Sequence, residues 1–258
     1  MASVREDSGH VNSFLGEVRT SGWWYFYPVT LFFKTPISFV TLTAVGLVYL
    51  ICHANALSSH HPLLASILGV AAVVQTGMFS NLNNGTRQIL AIYPLASILA
   101  AFGALRLWRL SGGTLRWQSI SCGLMTWQIV ASITAHGDYI AYFNELAGPR
   151  PETITVDSDL DWGQDLKRLV SELKQQHIDT VAIAYYGSAD LAHFELPTWK
   201  PLEPNERTTG WIAISIGCLK MGTLTSPFDQ YVWLEEFTPI KRIGTSMLLY
   251  HIQSVPPD

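Results

Sequence analysis

Acid is what the first half of this chain lacks. No Asp or Glu occurs between Arg19 and Asp138, and the only Lys or Arg strictly between those two residues are Lys34, Arg87, Arg106, Arg109 and Arg116. A water-soluble fold does not keep so long a stretch free of acids. A bilayer does, because an ionised side chain in hydrocarbon costs about 3 kcal/mol or more. Basic clusters are missing too: with a net charge of −4 and no Lys/Arg run, the chain has no electrostatic footprint for nucleic acid. Cysteine is scarce. Cys52, Cys122 and Cys218 stand far apart with no CxxC or Cys/His ligand spacing, which argues against a disulfide framework and against a zinc site. The opening MASVREDSGH has no apolar core and does not read as a signal peptide.

What fills the acid-free stretch is apolar. Four runs stand out, over 35–52, 62–78, 89–105 and 119–135. Each sits at the short end of the roughly 17–25 residues that a spanning helix uses. A further run over 23–33 precedes them, with the cluster Trp23, Trp24, Tyr25, Phe26 and Tyr27 that suits a membrane interface. It reads as an interfacial or re-entrant helix, or as the first part of one long kinked helix. Basic residues in short loops mark the cytoplasmic side. Arg106, Arg109 and Arg116 fall between the third and fourth runs, so that loop is expected inside, with the N-terminal segment, Lys34, Arg87 and everything after the fourth run outside.

Past His136 the character changes. Asp161 and Gln164 have the spacing of a capping box, and Leu166, Leu169, Val170 and Leu173 recur at helical spacing. Residues 180–186, 211–216 and 247–252 read as strands, and 188–194 as a short helix. The expected architecture is a multi-pass α-helical membrane region of about four spans plus an interfacial helix, followed by a small α/β domain. The divisions are an extracytoplasmic segment at 1–34, transmembrane helices at 35–137 and an extracytoplasmic α/β domain at 138–258.

Several stretches together resemble one family. Asp157-Ser158-Asp159-Leu160-Asp161-Trp162-Gly163-Gln164-Asp165-Leu166 resembles the "DSNLDWGQDL" motif of bacterial membrane glycosyltransferases related to the protein O-mannosyltransferases. Phe14-Leu15-Gly16-Glu17, Gly22-Trp23-Trp24-Tyr25-Phe26 and Lys34-Thr35-Pro36 resemble that family's "YLLGE…GWWYYFP…KTP". Gly85–Pro94, Tyr142-Phe143-Asn144-Glu145 and Gly210–Ser215 resemble further pieces in the same order. Asp159 stands where the motif has Asn, and Gln88 and Ala91 replace Tyr and Pro. The resemblance implies the C-terminal part of a GT-C-type enzyme in the cell membrane that moves a sugar from a polyprenyl-phosphate donor to an acceptor on the outer face. It also implies a catalytic carboxylate on an N-terminal loop that this chain does not contain. An N-terminal half-protein is then a partner, and the chain alone is expected to be inactive. The competing reading is a non-enzymatic, membrane-anchored receptor or scaffold presenting an α/β binding domain.

Such a transfer needs a group to activate the acceptor and positive charge for the leaving phosphate. Arg87, beside Gly85, Asn81, Asn83 and Asn84, is a candidate phosphate ligand, or else an interfacial arginine reaching headgroups. Lys34 is a second candidate, or a lysine marking the membrane boundary. Tyr93 is placed to line a lipid groove or to pack in a core, and Glu17 to serve an outer site or to stand solvated. In the cluster Asp157, Asp159, Asp161, Trp162, Gln164 and Asp165, the D-x-D-x-D pattern invites a divalent metal. The spacing then fails, because Gly163 is one position late for a calcium loop and Arg168 stands where its bidentate Glu belongs. No metal and no other cofactor is assigned, and the cluster reads either as capping or as facing a site.

Overall fold

The computed structural model describes residues 11–53, 61–80, 82–109 and 115–254. Asn81, a proposed neighbour of Arg87, lies outside the described residues. The chain forms two compact units: Gly22–Pro149, and Arg150–Asp258 together with the segment up to Ser21.

The first unit is helical: α1 (Phe26–Lys34), α2 (Ile37–Cys52), α3 (His61–Phe79), α4 (Ile92–Arg109) and α5 (Leu115–Thr134). The aromatic run becomes α1, bent by 116° from α2. The bend sits at Thr35-Pro36. Proline pushes the preceding residue out of helical geometry, and Thr35 is extended at φ −108°, ψ 135°. The carbonyls stranded at the end of α1 find a donor in Asn144, which is 3% exposed. Its Nδ2 donates to Phe32 O (2.6 Å) and Thr35 O (2.8 Å), and its backbone N–H to Phe33 O (2.8 Å).

Helix α4 is the centre of this unit. It meets α2 backbone to backbone, because both carry glycine at the crossing: a Cβ on Gly46 would collide with Leu99 O, and one on Gly103 with Leu42 O. Leu42, Ala100 and Leu107 pack on one side of the crossing, and Leu50, Leu63 and Leu99 on another. Two polar bonds tie in α5: Ser38 Oγ donates to Gln128 Oε1 (2.9 Å), and Ser121 Oγ to Ala104 O (3.2 Å).

The expected multi-pass region of four spans is overturned. All four apolar runs contain helices, but among the described residues only His61–Met78 is long and apolar enough to cross a membrane, or two spans if the bent pair α1–α2 counts as one. Helix α2 has 16 residues, a rise of about 24 Å against a hydrocarbon core of about 30 Å. Helix α4 ends on Arg106 and Arg109, and α5 is diluted by Arg116, Gln118, Gln128 and several Ser and Thr. The assignment of sides rested on counting four spans and loses that basis.

The second unit is a five-stranded mixed sheet in the order β4-β3-β5-β7-β6, built from β3 (Thr180–Ala184), β4 (Thr198–Pro201), β5 (Gly210–Ser215), β6 (Lys241–Ile243) and β7 (Met247–Ile252). Strands β4, β3 and β5 are parallel, while β7 runs antiparallel to both β5 and β6. Alternation along the central strands feeds two cores. Val181, Ile183, Ala213, Met247 and Leu249 face the helix α7 (Leu166–Gln175) through Leu166, Leu169 and Leu173. Ala182, Ala184, Ile212, Ile214, Tyr250 and Ile252 face Leu219, Tyr231, Trp233 and Leu234 on the other side. Short helices α6 (Asp157–Leu160) and α8 (Ile216–Met221) flank the sheet. The hairpin β1 (Asn12–Phe14) and β2 (Glu17–Arg19) joins this unit, with Phe14 fully buried and Leu15 N–H donating to Ile154 O (2.9 Å).

Candidate functional site

In the helical unit an apolar cleft of about 330 Å³ opens between α1, α2 and α4. Leu31, Phe32, Phe39, Val40 and Tyr93 are among its lining residues. Tyr93 therefore lines a groove, and its hydroxyl meets Thr35 Oγ1 at 3.1 Å, at the bend. Lys34 precedes Thr35 in the chain. Its Nζ donates to Ile140 O (2.5 Å) and lies 4.4 Å from the centroid of the Phe143 ring. Sequence reasoning noted Tyr142-Phe143-Asn144 only as a point of likeness. In the structure this stretch positions Lys34: Asn144 caps α1 while Phe143 and Ile140 hold the ammonium.

Arg87 sits elsewhere. It lies in the 3-10 turn Thr86–Ile89, exposed, with Nε donating to Asn84 O (3.2 Å). This turn is tied to the beginning of α1, where Tyr27 Oη donates to Leu82 O (2.6 Å) and Gln88 Oε1 (2.9 Å), and where Asn83 Oδ1 accepts from Trp23 N–H. From Tyr27 to Lys34 is on the order of 10 Å of helix. Arg87 and Lys34 thus belong to opposite ends of α1, while Lys34 and Tyr93 share the bend at Thr35. Glu17 is in the other unit, exposed on β2 and ion-paired with Arg19.

The acidic motif is almost wholly inside the α/β unit. Asp161 is fully buried; its Oδ1 accepts from Gly163 N–H (2.9 Å) and its Oδ2 from Gly217 N–H (2.8 Å) in the first turn of α8. Burial raises its pKa from 3.8 to about 6, with Asp165 adding to the rise and the two backbone N–H groups opposing it. The expected capping box does not form. Helix α7 starts at Leu166, and Gln164 turns back instead, accepting from Trp162 N–H (2.8 Å) and donating to Leu160 O (2.8 Å). Asp165 is a clamp for the β6–β7 turn: its Oδ2 accepts from Thr245 N–H (2.8 Å), Ser246 N–H (2.8 Å) and Ser246 Oγ (2.9 Å), while Oδ1 takes Arg168 Nη1 (2.6 Å). Gly244 makes the close approach possible at φ +57°, where a Cβ would strike the Asp165 carboxylate. Asp157 accepts from Tyr186 Oη (2.9 Å) and from Ser158 Oγ (3.0 Å). Asp159 is buried in α6 at 2% exposure. The carboxylates thus have divided duties, and among the described residues no group of three or more His, Cys, Asp or Glu could hold a metal ion.

Sequence reasoning missed a cavity of about 750 Å³ beyond the carboxyl ends of β3, β4 and β5. The segment after β3 turns toward β4 on one side of the sheet, and that after β5 leads on toward β6 and β7 at the other side. Such a divergence opens a crevice at the strand ends, the usual ligand position in parallel sheets. Trp162, Tyr185, Tyr186 and Tyr231 supply aromatic walls, and Glu203 and Ser188 polar groups. Burial and the Asp157 carboxylate push the Tyr186 hydroxyl well above its ordinary range, and burial pushes the Cys218 thiol up to about 12, so both stay protonated. The sequence held a signal: adjacent aromatics at the end of a predicted strand, followed by Gly187. Comparison with protein-family models, with curated proteins and with solved structures finds no match for this chain.

Proposed function

We propose that this chain supplies the donor-binding part of a membrane-bound glycosyltransferase that moves a sugar from a polyprenyl phosphate to an acceptor. The observation that carries this reading is the apolar cleft between α1, α2 and α4, with Lys34 adjoining Thr35 at the bend. A prenyl chain suits walls of Leu31, Phe32, Phe39 and Val40. The Lys34 ammonium, held by Ile140 O and Phe143, meets a phosphate as a fixed point charge. As the bond from sugar C1 to phosphate oxygen breaks, negative charge grows on the phosphate, and a preorganised cation stabilises it. Arg87, about a helix length away, serves a different part of the donor or a lipid headgroup.

Exposed apolar residues along α5, among them Ile129, Val130 and Ile133, support contact with a bilayer. The resemblance of the motifs implies an acceptor-activating carboxylate on an N-terminal loop. Coexpression with an N-terminal half carrying that acidic loop is expected to give sugar transfer that depends on a polyprenyl-phosphate donor. Changing Lys34 to Ala is expected to lower the rate at least tenfold, about the worth of one charge-assisted hydrogen bond. Undiminished transfer by a variant with both Lys34→Ala and Arg87→Ala would remove the roles assigned to them.

A further inference from the structure

We infer that the cavity at the carboxyl ends of β3, β4 and β5 binds a neutral saccharide. This rests on the α/β unit alone and stands whether or not the donor-site reading does. Four aromatic residues line the cavity, and each has its polar tip fastened to the protein. Trp162 Nε1 donates to Ser158 O (3.1 Å), Tyr185 Oη to Gly163 O (3.0 Å), Tyr186 Oη to Asp157 Oδ1 (2.9 Å) and Tyr231 Oη to Leu202 O (3.0 Å). The rings are held in place before any ligand arrives, and what they offer the cavity is chiefly ring surface. An aromatic ring face attracts C–H edges and repels anions, because its quadrupole is negative at the face.

The polar lining has one sign. Among the described residues no Lys, Arg or His lines the cavity, and its charged group is Glu203, with the Ser188 and Thr223 hydroxyls beside it. A phosphate or carboxylate ligand would meet no counter-charge there. A pyranose ring fits the combination: its C–H face lies on an aromatic ring, and its hydroxyls donate to a carboxylate and exchange bonds with Ser and Thr. At about 750 Å³ the space suits a mono- or disaccharide rather than an ion. Trp162, 46% exposed between the buried Asp161 and Gly163, is the most accessible of the four rings and the one expected to stack.

Saturation-transfer NMR on the full chain, in a detergent without sugar headgroups, tests this with methyl glucoside, methyl mannoside and methyl galactoside as probes, and with glucose 6-phosphate and choline as charged comparators. At least one neutral glycoside is expected to bind with its ring C–H protons saturated, and more tightly than either comparator. Trp162→Ala is expected to weaken it about fivefold to tenfold, the contribution of a single stacked ring, and Trp162→Phe to restore most of it. Glu203→Gln, a change at an exposed position, is expected to weaken it about threefold or more through the lost charge-assisted bond, independently of any effect of Trp162 on folding. Absence of binding by all three glycosides overturns the inference. So does tighter binding of choline or glucose 6-phosphate, and so does glycoside binding that neither Trp162→Ala nor Glu203→Gln alters.

Discussion

Asp161 and Asp165 lie one helical turn apart in sequence and are both fully buried, yet they answer to pH and mutation differently. Asp165 gathers two backbone N–H groups, a hydroxyl and a guanidinium. Asp165→Ala strands those donors, and the expected loss is about 3 kcal/mol or more in a urea unfolding experiment. Asp161 has a folded-state pKa raised from 3.8 to about 6. The folded chain then holds this proton more tightly than the unfolded chain. Its contribution to stability is greatest below about pH 4 and falls as pH rises to about 6, by roughly 3 kcal/mol over the window. Wild type should lose stability relative to Asp161→Asn between pH 4 and 6.5, and a difference independent of pH would contradict the assignment. The spacing of the motif marked these positions as special and read Asp161 and Gln164 as a capping box. It did not show that their partners stand some 55 to 80 positions away, at Gly217, Thr245 and Ser246, because such contacts exist only once the sheet has formed.

Among the elements, legibility followed burial. Strands β3, β5 and β7 are rich in β-branched and large apolar residues, and the sequence places them within a residue or two of their observed ends. The edge strands β4 and β6 escaped notice. All four residues of Thr198–Pro201 are exposed, and Lys241–Ile243 buries only its last residue, so neither carries a hydrophobic pattern to read. Between helices the decisive feature is small rather than large. Gly46 and Gly103 let α2 and α4 touch through their backbones, and Gly103→Leu is expected to destabilise the helical unit by about 2 kcal/mol or more, measured as a lowered melting temperature of the helical signal. Asn144 belongs to the same scale. Asn144→Ala removes the donor to two carbonyls at the end of α1, with an expected loss of about 2 kcal/mol and slackening of the Lys34 position.

For the whole molecule, the absence of acid correctly marked where apolar helices would lie, and overstated what they are. A run of 16 to 20 residues with few charges is compatible with a span, a bent re-entrant pair or a packed helix, and hydropathy alone does not choose among them. The glycine crossing of α2 and α4, the 116° bend at Pro36 and the polar bonds of α5 are tertiary facts, and they make a helical unit with one candidate span, or two with the bent pair. The two units also hold separate candidate sites: the apolar cleft lined by Thr35 and Tyr93, and the aromatic cavity of the sheet. The most direct measurement on the first is the affinity of the full chain for farnesyl phosphate, compared with farnesol. Farnesyl phosphate should bind at least about tenfold more tightly, and Lys34→Ala should bring the two to similar affinity. Equal binding of phosphate and alcohol by the unaltered chain, or no binding of farnesyl phosphate at all, would contradict a donor site at this cleft.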